Sequence, residues 1–177
     1  MGFHDTDGLY HTFREELLFS VNDFREVDAN SDVGAIAANG GLLASDTTPI
    51  LEGNAAETLQ INWAASNSDI IATQRSLPSR FNGKNDVLVE LWVASGTTDP
   101  ATFTVETGWD GGALVSDSAS DATTKSATVH KITATIAAAD IPDNASYVTL
   151  ILTPGAHTTN AVLLQAVRLS YLPKKTS

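Results

Sequence analysis

The chain has 177 residues, room for one domain with an appendage and too little for two full domains. Apolar residues make up 42% and charged ones 18%, the balance of a packed body rather than a disordered chain. A net charge of -11 with only ten Lys and Arg argues against nucleic acid or an anionic membrane surface as partner, and the lack of cysteine excludes a disulfide framework and thiolate chemistry.

The first seven positions include acidic and polar residues and no apolar run follows, so no secretion signal is expected. No stretch approaches the roughly eighteen apolar residues of a membrane span, and a soluble product made in a cytoplasm is the expectation. Thr12-Phe13-Arg14-Glu15 has the form of a capping box, and Phe13, Leu17, Val21 and Phe24 follow at helical spacing, which predicts a short amphipathic helix over 12–24. The same residues also alternate as a strand through Phe13, Leu17, Phe19 and Val21, a reading that Glu15 fits badly. Residues 27–57 contain Gly, Asn and Pro between short apolar pieces and read as loop-rich.

From Thr58 the period changes to two. Leu59, Ile61 and Trp63 share a face, as do Val87, Val89, Leu91 and Val93, with Glu90 and Trp92 opposite the latter. Phe103 and Val105, then Ile132, Ala134 and Ile136, then Val148, Leu150 and Leu152, and finally Leu163 to Tyr171 continue the series. Asn82-Gly83, Ser95-Gly96, Asp110-Gly111-Gly112 and Pro142-Asp143-Asn144 supply turns between them. No helix of crossover length intervenes, so an all-β antiparallel sandwich of about eight to ten strands, of jelly-roll type, is predicted. Residues 1–33 then form a separable arm or short helix, 34–172 the sandwich and 173–177 a tail.

Reactive chemistry is sparse. His4, Asp5, Asp7 and His11 are close enough in sequence to form a weak divalent-metal site, against which stand the mobility usual of a chain end and Gly8; Asp110, Asp117 and Asp121 could form a calcium-binding turn, for which an ordinary solvated turn also accounts. Glu90 and Glu106, predicted on outward faces of successive strands, are the one pair that could serve as glycosidase carboxylates about 5 to 10 Å apart. No nucleophile elbow or nucleotide-binding motif occurs, so no catalytic residue and no cofactor are expected. Trp63 falls on an apolar face and reads as core, which leaves Trp92 and Trp109 as an aromatic platform for a sugar ring.

The segments GGLLASDTTPIL (40–51), INWAASNSD (61–69) and DIPDNASYVTLILTPGAHTTNAVLLQAVRLSYL (140–172) resemble a recurrent type of tailed-bacteriophage head protein over about residues 33 to 172. That resemblance implies a β-sandwich decoration, or cement, protein on the outside of a virion, binding the major capsid protein, with a homotrimer as the usual assembly. It carries no site residue with it. On this view the ring-bearing N-terminal segment, with Phe3, Tyr10, Phe13, Phe19 and Phe24, would dock on the shell, and its removal would leave the sandwich folded. A carbohydrate-binding sandwich that recognises surface glycans through Trp92 and Trp109 is the alternative.

Overall fold

The computed structural model describes residues 13–28, 41–43, 49–53, 58–120 and 126–174. Eleven strands are present among them: β1 (Glu15–Phe19), β2 (Arg25–Val27), β3 (Ile50–Gly53), β4 (Leu59–Trp63), β5 (Ile70–Ser76), β6 (Val87–Ala94), β7 (Thr102–Trp109), β8 (Val115–Ser120), β9 (His130–Ile136), β10 (Tyr147–Pro154) and β11 (Val162–Tyr171). Every pairing is antiparallel. One sheet, called here the front sheet, runs β3-β4-β11-β6-β9, with β1 also pairing β11, and the back sheet runs β2-β5-β10-β7-β8. The predicted jelly-roll sandwich is therefore the observed architecture, built from non-consecutive neighbours as two facing sheets require.

Alternation explains why the sheets face each other. Val87, Val89, Leu91 and Val93 on β6, Phe103 and Val105 on β7, and Val148, Leu150 and Leu152 on β10 point inward and are buried. Trp63 lies in this core as expected, edge-on to Phe103 at 5.5 Å, with its indole nitrogen donating to the Asp69 carbonyl at 2.9 Å. At one side of the sandwich β8 packs against β9. At the other, the short piece 41–43 bridges the sheets: Glu26 N–H donates to the Gly41 carbonyl and Leu51 N–H to the Leu43 carbonyl. Gly41 has φ +74°, and a Cβ there would collide with the Glu26 carbonyl oxygen, so only glycine fits the crossing.

The N-terminal expectation needs correction. Residues 15–19 form a strand in the front sheet, Glu15 opposite Tyr171 and Phe19 opposite Val167, followed by a single 3-10 turn at Val21–Asp23 and then β2 in the back sheet. Phe19 and Phe24 are core residues, 4% and 1% exposed, and neither is free to dock on anything else. The reason lies in Glu15, which counted against a strand. Its carboxylate accepts from the Tyr171 hydroxyl at 2.9 Å and pairs with Arg80 at 2.6 Å, so an acid is accommodated at the sheet margin. The boundary at residue 33 thus does not separate an arm from the body, because β1 and β2 each belong to a sheet. Phe13 lies just outside β1 and is 81% exposed, while Phe3 and Tyr10 lie outside the described residues.

Candidate functional site on the outer face of the front sheet

Side chains that point away from the core on the front sheet come from five strands: Glu52 of β3, Gln60 and Asn62 of β4, Glu90 and Trp92 of β6, Lys131 of β9, and Gln165 and Arg168 of β11. They form two connected groups. Glu90, only 4% exposed although it faces outward, accepts from Arg168 Nε at 2.7 Å and from Lys131 Nζ at 2.5 Å. Arg168 continues to Glu16 of β1 at 2.5 Å, and its guanidinium carbon stands 4.8 Å from the centre of the Trp92 ring. A chain of charge-assisted bonds therefore crosses four neighbouring strands from β9 to β1, with its Arg168 against one tryptophan.

The second group is amide-rich. Gln165 Nε2 donates to Gln60 Oε1 at 3.2 Å, Gln60 Nε2 donates to Glu52 Oε1 at 3.0 Å, and Asn62 Nδ2 donates to the same oxygen at 3.0 Å. Asn62 Oδ1 is a shielded acceptor with no protein partner. Gln165 owes its place to the register shift between Leu164 and Ala166, where a bulge in β11 turns an extra side chain to the outside.

Electrostatics fix this arrangement. Burial pushes the Glu90 carboxyl up, but the hydrogen bonds from Arg168 and Lys131 outweigh it, and the group sits below the ordinary carboxylate range. Arg168 is correspondingly held in its charged form by Glu90 and, less strongly, by Glu16. What results is a flat, half-exposed surface that joins one aromatic ring to amide and carboxylate groups, a combination able to hold a polyhydroxylated ring by stacking and hydrogen bonding.

The remaining sequence candidates separate. Trp109, at the end of β7 where the Asp110–Gly111 turn starts, is core, 3% exposed and stacked on Phe81 at 5.5 Å; it cannot share a platform with Trp92. Glu106 is on the outer face of the back sheet and Glu90 on that of the front sheet, so the two carboxylates lie on opposite sides of the sandwich and form no pair. Asp110 Oδ1 accepts from the backbone N–H of Ser146 and Tyr147, and Asp117 points inward from β8, while Asp121 and the His4–His11 cluster lie outside the described residues. Among the described residues no group of three or more His, Asp or Glu is placed to hold a metal ion. Glu52, Gln60, Asn62, Gln165 and Arg168 escaped the sequence reading. Their only signal was polar residues alternating with Ile61, Leu164 and Leu169, which any solvated sheet face also gives.

No family model matches the sequence, and no curated protein matches it. Solved structures do match the fold. A xylan-binding module of carbohydrate-binding family 15 has a TM-score of 0.58 at 12% identity, covering 92% of this chain and all of that one. A family 35 carbohydrate-binding module from Cellvibrio japonicus gives 0.51 at 8% identity, covering 92% of this chain and all of that one. A Clostridium thermocellum xylanase, comprising a family 22 module and a catalytic module in complex with xylohexaose, gives 0.51 at 14% identity, over 95% of this chain and 30% of that one. At these identities the likeness establishes the two-sheet jelly roll that these modules share.

Proposed function

We propose that the protein is a carbohydrate-binding module that holds a polysaccharide chain on the outer face of the front sheet. The carrying observation is Trp92, half-buried on that face, with Arg168 of β11 over its ring, Lys131 opposite it on β9, Glu90 two residues before it on β6, and the Gln165, Gln60 and Asn62 amides farther across the same face on β11 and β4. A sugar ring has an apolar face of C–H groups for the indole and equatorial hydroxyls for the amides, so both halves of the surface have a use. The outer face of the back sheet is different: Thr104, Glu106, Thr149, Gln74, Ser116 and Ser118 face out there without a tryptophan. Support from the fold is of a general kind, since solved sandwiches of this form include a xylan-binding module. Native electrophoresis through gels cast with soluble neutral polysaccharides tests it: the wild type is retarded by at least one polymer and Trp92→Ala is not. Equal retardation of both would reject the site.

A second reading, attachment to a phage shell as a decoration protein, is favoured by one observation. Phe13 and Leu18, before and within β1 of the front sheet, are 81% and 63% exposed. In that reading Phe13 anchors the protein to the major capsid protein, and a homotrimer multiplies a weak contact. Co-sedimentation with undecorated shells, lost in Phe13→Ser, is the expected result; pelleting unaffected by the change would refute it.

A further inference from the structure

Arg168 is placed to do two things at once: it stacks on Trp92 and it donates to Glu90. On the outer face of the front sheet the described cations are Arg14, Lys131 and Arg168, and each is engaged. Arg14 donates to the backbone carbonyls of Asp86 and Ser170, Lys131 to Glu90, and Arg168 to Glu90 and Glu16. Glu52 adds a further carboxylate, occupied on one oxygen by Gln60 and Asn62. A ligand carboxylate arriving beside Trp92 meets two cations, Lys131 and Arg168, that are already paired with Glu90, while the uncompensated charge of Arg14 lies farther off, beside Asp86 and Ser170; it also approaches a chain of net charge -11.

We infer that Glu90 is the positioning residue of the site: it holds Arg168 against one face of Trp92, leaves the other for a single stacked sugar, and by engaging both nearby cations makes the surface select uncharged sugars over uronic acids. The inference rests on the polysaccharide reading above. Its physical basis is that a guanidinium bonded to two carboxylates, one of them the buried Glu90, loses freedom to leave the indole, so Trp92 is presented in one orientation before any ligand arrives. Specificity follows from the same bonds, because a uronate must break an ion pair that the neutral sugar leaves intact.

The test uses the full chain labelled with 5-fluorotryptophan, the three 19F signals assigned by single Trp→Phe changes, and two probes, xylohexaose and tri-galacturonate. In the free protein, Glu90→Gln should move the Trp92 signal well beyond those of Trp63 and Trp109. It should also weaken xylohexaose binding by roughly tenfold and raise that of tri-galacturonate, which the wild type binds poorly. A Trp92 signal unchanged in Glu90→Gln, or a wild type that prefers the uronate, overturns the inference. A wild type that binds neither probe overturns the ligand selection, while the polysaccharide reading stands or falls on the gel electrophoresis above and the fluorine spectrum decides whether Glu90 positions the ring. If Glu90→Gln fails to fold, Arg168→Lys keeps the countercharge while removing the guanidinium from the ring; it should displace the Trp92 signal too, and an unmoved signal there counts equally against the claim.

Discussion

The hydroxyl of Tyr171, on the last strand, donates to the carboxylate of Glu15, on the first, at 2.9 Å. Burial and this acceptor push the phenol up to about 12, whereas in the unfolded chain it titrates near 10. A raised folded value means that the protonated phenol is stabilised by folding. The contribution is complete below pH 10 and disappears as the pH rises through 12, amounting to about 2 to 3 kcal/mol. Chemical denaturation between pH 9 and 12 should show this loss in the wild type and a much flatter profile in Tyr171→Phe; parallel profiles would remove the assignment.

Phe24 offers a sharper test of the corrected N-terminus. It is buried between the 3-10 turn and β2 and belongs to the main core. Phe24→Ala should cost about 3 to 5 kcal/mol, and removal of residues 1–25, which also deletes β1, should abolish cooperative unfolding. A truncated chain that melts like the wild type would restore the picture of a detachable arm.

Gly41 is where the piece joining the two sheets crosses the Glu26 carbonyl. Gly41→Ala combines a strained positive φ with a backbone collision and should cost at least about 1 to 3 kcal/mol. Thermal melts check this, with Gly53→Ala, where an added methyl meets nothing, as the neutral comparison.

Asp117 is an acid turned inward on an edge strand. Burial, then Asp140, raises its carboxyl above the ordinary value, and its Oδ2 has no hydrogen-bond partner. A raised folded value on an acid means that ionisation opposes folding, so stability falls as the pH rises through the folded value. Asp117→Val, beside inward Ala119 and Val105, should therefore raise the melting temperature at pH 7 and do so less at pH 4. A lower melting temperature at both would show that the carboxylate has a structural use.

Most of the sandwich was readable from sequence because strands β4, β6, β7, β9, β10 and β11 alternate Val, Ile, Leu and Phe with polar residues in stretches bounded by turns. Where it failed, the deciding contact came from far along the chain. Phe13, Leu17, Val21 and Phe24 satisfy helical spacing, and nothing local reveals that Tyr171 and Arg80 accept Glu15 at a strand position. β8 reads as a polar turn, since VSDSAS buries only Ala119 well. For the candidate site, the outward orientation of Trp92 is readable from the alternation of β6. Trp109 was misassigned because its partner Phe81 lies between strands, in a stretch without periodicity. The Glu90–Arg168 contact depends on the register of β6 against β11, with Arg168 opposite Glu90, which no spacing within either segment encodes.

Where a sugar lands is the most direct question. The three indole N–H resonances of uniformly 15N-labelled protein should be followed during titration with xylohexaose and other neutral oligosaccharides. Saturable movement of the Trp92 signal, accompanied by the side-chain amides of Gln60, Asn62 and Gln165 and with Trp63 and Trp109 still, is the predicted outcome. Saturable changes confined to other surfaces, with Trp92 and those amides unmoved, would contradict the assignment of the front sheet as the binding face.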